Sequence, residues 1–280
     1  MTAGAARVAA DLESVEIDVL LEAVNRVYGF DFREYARPSL RRRLWRRADA
    51  EGATTISALQ ERLLHDRACM ERLLLDLSIN VTAMFRDPTF YLAMRKTVVP
   101  ILRTYPFIRI WSAGCSTGEE TYSLAILLQE EGLLDRTRIY ATDINEAVLM
   151  RAKEGVFPLE KMKGYTENYL AAGGTRAFSE YYVAGYEGAR FDRSLMSNIV
   201  FSRHNLVSDR SFNEFHAIIC RNVMIYFDAV LQDKVHDLFA ESLVRFGVLV
   251  LGQKESISLT SHATEYEPLD HPERIYRKVR

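Results

Sequence analysis

The stretch Ile108–Glu120, IRIWSAGCSTGEE, decides the fold. It reads as a short apolar strand, a tight loop of small residues and the start of a helix. Gly114 and Gly118 let the backbone turn sharply and approach a ligand closely, because glycine has no Cβ. The helix from Glu119 to about Leu128 aims its free N–H groups and the positive end of its dipole back at that loop. Strand, loop and helix in this order cradle small polar ligands in α/β folds. A second strand, Ile139–Thr142, runs into Asp143. An acid about 20–25 residues beyond such a loop is placed to accept hydrogen bonds from ribose hydroxyls. The expectation is a nucleoside-containing cofactor.

Outward from this turn, strand and helix signals alternate. Strands are predicted at Ile108–Ser112, Arg138–Thr142, Ile199–Arg203, Ala217–Cys220 and Val248–Leu251, and helices at Glu119–Leu128, Glu146–Ala152 and Val230–Arg245. That alternation predicts an α/β fold with a mostly parallel sheet covered on both faces. Upstream the pattern is helical. Val19, Leu20, Ala23, Val24 and Val27 recur at helical spacing, Ser39 is placed to cap a helix through Arg47, and Gly52 follows its end. Further helices fit Ile56–Leu64 and Ala68–Leu77, and no strong strand signal precedes residue 100. The chain is therefore read as a small all-α N-terminal domain, 1–80, and an α/β domain, 81–280. Residues 155–197, rich in tyrosine, glycine and charge, form a candidate inserted β subdomain with a short strand at Tyr181–Val183.

Composition narrows the function less. A chain of 280 residues that is 48% hydrophobic supports a real core, and a net charge of −2 favours no particular partner. No run of about 20 apolar residues is available to span a membrane, and the N-terminus lacks an apolar signal core. Cys69, Cys115 and Cys220 are odd in number and lack metal-ligand spacing, which suits reduced thiols in a cytoplasm and no metal site.

Arg37, Arg41, Arg42, Arg43, Arg46 and Arg47 fall within eleven residues without an acid among them. On a helix Leu40, Leu44 and Ala48 share one face, Arg42 and Arg46 lie opposite, and Arg43 and Arg47 flank them. A solvated helix face and a docking patch for an acidic partner both fit. Arginine rather than lysine suits planar pairing with carboxylates. Nucleic acid is not indicated, because no matching basic surface or aromatic interleaving occurs elsewhere.

Two further segments are more specific: Asn80–Asp87, NVTAMFRD, and Cys220–Phe227, CRNVMIYF. With WSAGCSTGEE (111–120), ATDIN (141–145) and HNL (204–206), the chain resembles the CheR-type chemotaxis receptor methyltransferases over essentially its whole length. The resemblance implies a class I, Rossmann-like methyltransferase domain that moves a methyl group from S-adenosylmethionine to glutamate side chains of chemoreceptors, leaving S-adenosylhomocysteine. It implies that Asn80, Thr82 and Arg86 line the cofactor site and its methionine end. Glu120, in preference to Glu119, becomes a cofactor contact and Asp143 the ribose-binding acid. Asn205 with Leu206, and Arg221 with Asn222, fall around the adenosine and methionine portions. Tyr226 falls near the transferred methyl and, with Arg86, orients the reacting groups. Arg41, Arg42, Arg43, Arg46 and Arg47 become a docking face for the acidic, glutamate-bearing helices of a receptor.

Each residue also has a local reading. Asn80 and Thr82 can cap a helix, Arg86 can pair with Asp87, Asp143 can cap the Glu146 helix, Tyr226 and Phe227 can be core aromatics, and Arg221 and Asn222 can satisfy a strand end. Jointly, in the order and spacing of one family, the functional reading is stronger. The chemistry agrees. A glutamate carboxylate, of ordinary pKa about 4.3, is ionised at neutral pH. No general base is needed, and no convincing Ser-His-Asp or Cys-His arrangement is found. The chain departs from the family pattern at Met84, where phenylalanine is usual. It departs again at Gln253 and Lys254, where LGQKES replaces a glycine-histidine-serine-glutamate run, and Thr175–Asp192 does not match a receptor-tail-binding hairpin. Two alternatives stand beside the main reading: a methyltransferase with another acceptor, and a non-catalytic sensor of S-adenosylmethionine or S-adenosylhomocysteine. Against a nucleic-acid amine acceptor, the chain has no Asp/Asn-Pro-Pro-Tyr-like motif.

Overall fold

The computed structural model describes residues 3–77, 82–258 and 260–280. Its contacts divide the chain into two units: Met1–Ile79 with Tyr226–Leu231, and Asn80–Ile225 with Gln232–Arg280.

The first unit is built on helices Ala3–Tyr28, Arg37–Ala50, Ile56–His65 and Arg67–Leu77. On the first helix the buried stripe is Ile17, Leu20, Leu21 and Val24, while Val19 and Val27 face solvent. The apolar periodicity is real, but two of the residues that suggested it sit on the outer face. The second helix starts earlier than its serine suggests. Ala36 is the N-cap and Pro38 lies in the first turn, where its fixed φ suits a helix and its missing N–H costs nothing. Leu40, Leu44 and Ala48 form its buried face. The segment 226–231 joins this unit through backbone bonds: Ala36 N–H donates to the Tyr226 carbonyl at 2.9 Å and Asp228 N–H to the Glu34 carbonyl at 3.0 Å.

Among its described residues the second unit contains ten strands: β1 Ile108–Ala113, β2 Thr137–Asp143, β3 Val156–Phe157, β4 Tyr182–Gly185, β5 Gly188–Phe191, β6 Ile199–Arg203, β7 Phe215–Cys220, β8 Leu243–Leu251, β9 Tyr266–Asp270 and β10 Ile275–Lys278. Seven form one sheet in the order β6-β2-β1-β7-β8-β10-β9. The run from β6 to β8 is parallel, and β10 is antiparallel to both neighbours. Ile110, Trp111, Ile139, Ala141, Ile218 and Val250 are fully buried, as expected of parallel strands covered on both faces. Helix Glu119–Glu130 is buried almost throughout from Thr121 to Leu128. Helix Met162–Ala171 closes its outer side: Tyr165 donates to Glu119 at 3.3 Å and Tyr169 to Glu130 at 2.5 Å.

A second sheet, β3-β5-β4, is antiparallel and lies within residues 155–197. Its β4–β5 hairpin pairs Gly185 with Gly188 across Tyr186 and Glu187. The short strand that the sequence suggests at Tyr181–Val183 corresponds to β4, which starts one residue later.

Other departures have local causes. The helix expected to reach Arg245 ends at Ser242, and Leu243–Arg245 open β8. Strand β9 carries Pro268, which masks it in sequence; at the sheet edge its missing N–H breaks no inner ladder. The helical stretch 88–103 is interrupted by a π-helical turn, Met94–Val98, just before Pro100, where the proline cannot supply an ordinary helical hydrogen bond.

Candidate functional site

The connection order reverses at β1, which pairs with β2 on one side and β7 on the other. In open α/β sheets ligands bind beyond the carboxyl ends of the strands at such a point. The residues following β1, β2, β6 and β7 are Gly114, Asp143 at the strand's last position, His204–Leu206 and Arg221–Asn222. The segments singled out in the sequence therefore converge because their strands are neighbours.

Backbone geometry shapes the first loop. Gly114 and Gly118 have φ of 74° and 95°, and Ser116 between them has φ of 50°. Gly114 and Cys115 donate to the Thr142 carbonyl at 2.8 and 2.9 Å, which pins the loop to β2. Asp143 then accepts Ser116 N–H on one oxygen and Asn145 N–H on the other, each at 2.9 Å. Only 8% of Asp143 is exposed. Burial pushes its carboxyl above the ordinary range while the backbone N–H groups pull it back. Asp143 does not cap the following helix. That role belongs to Asn145, whose side chain accepts Ala147 N–H at 2.9 Å.

Arg221 organises the other half. Its guanidinium reaches Glu120 at 3.0 Å and Asp87 at 2.8 Å and stacks 3.9 Å above the Phe90 ring. The residue is buried, and its Nε has no acceptor among the described residues. Burial raises the Glu120 carboxyl, with the Arg221 charge pulling the other way. The two glutamates of GEE thus separate: Glu120 joins this cluster, whereas Glu119 accepts from Thr117 Oγ1 at 2.6 Å and from Tyr165. Arg86 stands 4.0 Å from Asp87, which is nearer to Arg221.

Asn205 is buried, and its side-chain oxygen accepts Val207 N–H at 2.9 Å, folding Leu206 into a tight turn. Asn222 has φ of 61°. Thr82 is half-buried, and Asn80 lies outside the described residues. Among the described residues six non-glycine residues have positive φ, and four of them, Phe85, Asp87, Ser116 and Asn222, belong to these segments. Such strain persists where surrounding structure over-determines it, commonly at functional sites.

Glu255 was missed in the sequence. It sits buried beyond β8 and accepts the N–H groups of Asn222, Val223, Met224 and Gly252. The signal was available: Gly252 and Glu255 keep the ends of the glycine-to-glutamate run although Gln253 and Lys254 alter its middle.

Tyr226 groups with the helical unit. Its ring lies 4.4 Å beneath the Arg43 guanidinium. That corrects the docking face, because Arg43 is only 5% exposed and donates to the Leu77 carbonyl; burial holds its pKa down. Acids distant in sequence meet most of the other arginines. Arg46 and Arg47 share Asp76, each at 2.5 Å, Arg47 also reaches Glu51, Arg41 pairs with Glu13, and Arg37 with Asp18. Arg42 is exposed and forms no ion pair with a described residue.

Among the described residues no group of three or more His, Cys, Asp or Glu side chains is arranged to hold a metal ion. The three cysteines are free and buried. No helix of the described residues is long and apolar enough to cross a membrane.

The family profile described as CheR methyltransferase, SAM binding domain, matches residues 80–274, and the one described as CheR methyltransferase, all-alpha domain, matches 16–78. A Pseudomonas putida protein named Cher3 is 51% identical over 264 residues, covering 94% of this chain and 97% of its own. Proteins named chemotaxis protein methyltransferase are 31% identical over 236 residues in Listeria monocytogenes and 32% over 242 in Listeria innocua, each covering 84% of this chain and 87% of its own.

Proposed function

Because the chain belongs to the CheR methyltransferase family, we propose that it methylates glutamate side-chain carboxylates of chemoreceptors. The observation that carries this reading is the donor set beyond β1, β2 and β7. A buried acid held by two N–H groups ends β2, and a cation–carboxylate cluster with an orphaned guanidinium N–H follows β7. That set suits S-adenosylmethionine, which joins a ribose to a zwitterionic amino acid. The bound cofactor supplies a methyl group activated by a sulfonium.

The chain's own residues bind and orient. Asp143 has lone pairs left for ribose hydroxyls after accepting its two backbone bonds. Arg221, Glu120 and Arg86, with Thr82 and Asn80, hold the methionine end, and Asn205 and Leu206 flank the adenosine. The acceptor glutamate arrives ionised, so no residue need remove a proton. Charge is lost as carboxylate and sulfonium become ester and thioether, so a dry site favours the reaction. Tyr226 orients the acceptor through its hydroxyl, and Arg43 fixes the Tyr226 ring. Arg41, Arg42 and Arg46 are the exposed part of the docking face. Exposed ion pairs are worth about 0–1 kcal/mol, so Arg41 and Arg46 can exchange their partners for receptor acids at little cost. The reaction then takes place in the cytoplasm.

Labelled methyl transfer to receptor-rich membranes tests the reading. A base-labile label supports a carboxyl ester. A base-stable label indicates nitrogen methylation, and S-adenosylhomocysteine binding without any label indicates a sensor; either overturns the proposal.

A further inference from the structure

We propose that Glu255 is a positioning residue whose carboxylate sets the shape of the Arg221–Met224 loop for cofactor binding. The inference rests on the reading that Arg221 and Asn222 line the S-adenosylmethionine site.

The chain leaves β7 at Cys220 and must reverse at once, and Asn222 does so with φ of 61°. Asparagine is one of the few non-glycine residues that visit that conformation, and the bonds that follow hold it there. Three successive N–H groups turn inward and converge on one side chain. Val223 and Met224 donate to Oε1 of Glu255 at 2.9 and 2.8 Å, and Asn222 donates to Oε2 at 3.1 Å. Gly252 N–H completes the set on Oε2 at 2.6 Å. Consecutive N–H groups turned this way make an anion-binding concavity, here filled by a residue of the chain itself.

The clasp reaches both halves of the site. Val223 packs so closely on Gly114 that a Cβ there would overlap its side chain. Arg221, one residue before the clasped run, spans Glu120 and Asp87. Glu255 therefore fixes the loop that carries the guanidinium and abuts the glycine turn, without itself belonging to either. Gly252 is part of the device. A Cβ on it would stand 2.7 Å from Glu255 Oε2 and 2.9 Å from Asn222 N, so the close approach requires glycine.

Glu255→Gln keeps the shape but replaces one acceptor oxygen with an NH₂ that faces N–H donors. Two hydrogen bonds to a charge are lost, and the expected result is an S-adenosylhomocysteine Kd and an S-adenosylmethionine KM raised about tenfold or more, with kcat within about threefold. Gly252→Ala perturbs the same clasp with the carboxylate intact and should give the same split; it also decides the matter should Glu255→Gln fail to fold. Lys254→Ala, exposed in the same loop, serves as the control and should bind as wild type. A merely structural role would lower Tm while leaving KM at its wild-type value well below Tm. Unchanged Kd and KM in both clasp variants overturn the inference. If those variants bind normally while Arg221→Lys loses the cofactor, only this inference falls. If the wild-type chain fails to bind S-adenosylhomocysteine, the site reading falls and this inference with it.

Discussion

Replacing Arg221 by lysine keeps one positive charge but removes the fork. The guanidinium meets two carboxylates at once, Glu120 at 3.0 Å and Asp87 at 2.8 Å; a single ammonium on a lysine stem serves one well. The Asp87 side chain is 36% exposed, so its arm contributes no more than about 1 kcal/mol. The Glu120 side chain is 21% exposed, and a hydrogen bond to a charged group in such a place is worth about 1.5–3 kcal/mol. Loss of stacking on Phe90 adds about 0.5–2 kcal/mol. Lysine keeps one arm and loses the stacking, so Arg221→Lys should cost about 2 kcal/mol of stability. Arg221→Met strands Glu120 and should cost about 3–5 kcal/mol. The assay is urea unfolding followed by Trp111 fluorescence in a Trp45→Phe background, with calorimetric titration of S-adenosylhomocysteine on the folded variants. If the ligand pairs with the same cluster, Arg221→Lys should also weaken binding by about tenfold, equivalent to about 1.4 kcal/mol. A lysine variant within about 0.5 kcal/mol of wild type in unfolding, a surface-like cost, and with unchanged affinity would refute the view that the fork organises the site.

Glu130 ties the inserted segment to the helix after β1, accepting from Tyr169, Thr175 and Tyr181 and pairing with Arg95, with its side chain 1% exposed. Glu130→Gln removes the charge that Tyr169, Thr175 and Tyr181 bond, while Arg95 keeps its pair with Glu131 at 2.8 Å, and should cost about 1.5–3 kcal/mol, with limited proteolysis cutting first near Thr175; unchanged protection there counts against the tie. Tyr226→Phe should lower methyl transfer by about tenfold, as expected for one lost hydrogen bond of about 1.4 kcal/mol, with little change in cofactor affinity; unchanged turnover removes Tyr226 from the reaction. Arg42→Glu with Arg46→Glu should weaken receptor methylation while S-adenosylhomocysteine binding stays intact; loss of both would point to misfolding rather than docking.

The parallel core was readable because β1, β2 and β7 are short apolar runs bounded by loops, and their order at the switch point follows from ordinary crossovers. Asp143, Glu120 and Arg221 stand out in the sequence as a pattern, yet their partners do not. Nothing local to Arg221 announces Glu120 or Asp87, which lie 101 and 134 residues away. The same holds for the arginine helix: its run from Arg37 to Arg47 holds no acid, but Glu13 and Asp76 come from other helices of the unit and Glu51 caps the helix's own end. Periodicity placed Arg43 beside a solvent face when it is buried against Leu77 and Tyr226. Glu255 was overlooked because its role is to accept backbone N–H groups, and backbone donors leave no residue signature. Proline concealed β9 and broke the helical pattern before Pro100.

The most direct test of the turn after β1 is calorimetric titration of S-adenosylhomocysteine into the wild-type protein and Asp143→Asn. Asparagine turns one of the two N–H-accepting oxygens into a donor facing Ser116 or Asn145 and removes a charged acceptor from the ribose. A lost hydrogen bond to a charged group of about 1.5–3 kcal/mol should weaken binding about 10–100-fold. Stoichiometric binding by wild type and that loss in the variant would support the account. Equal affinity in the two proteins would contradict it.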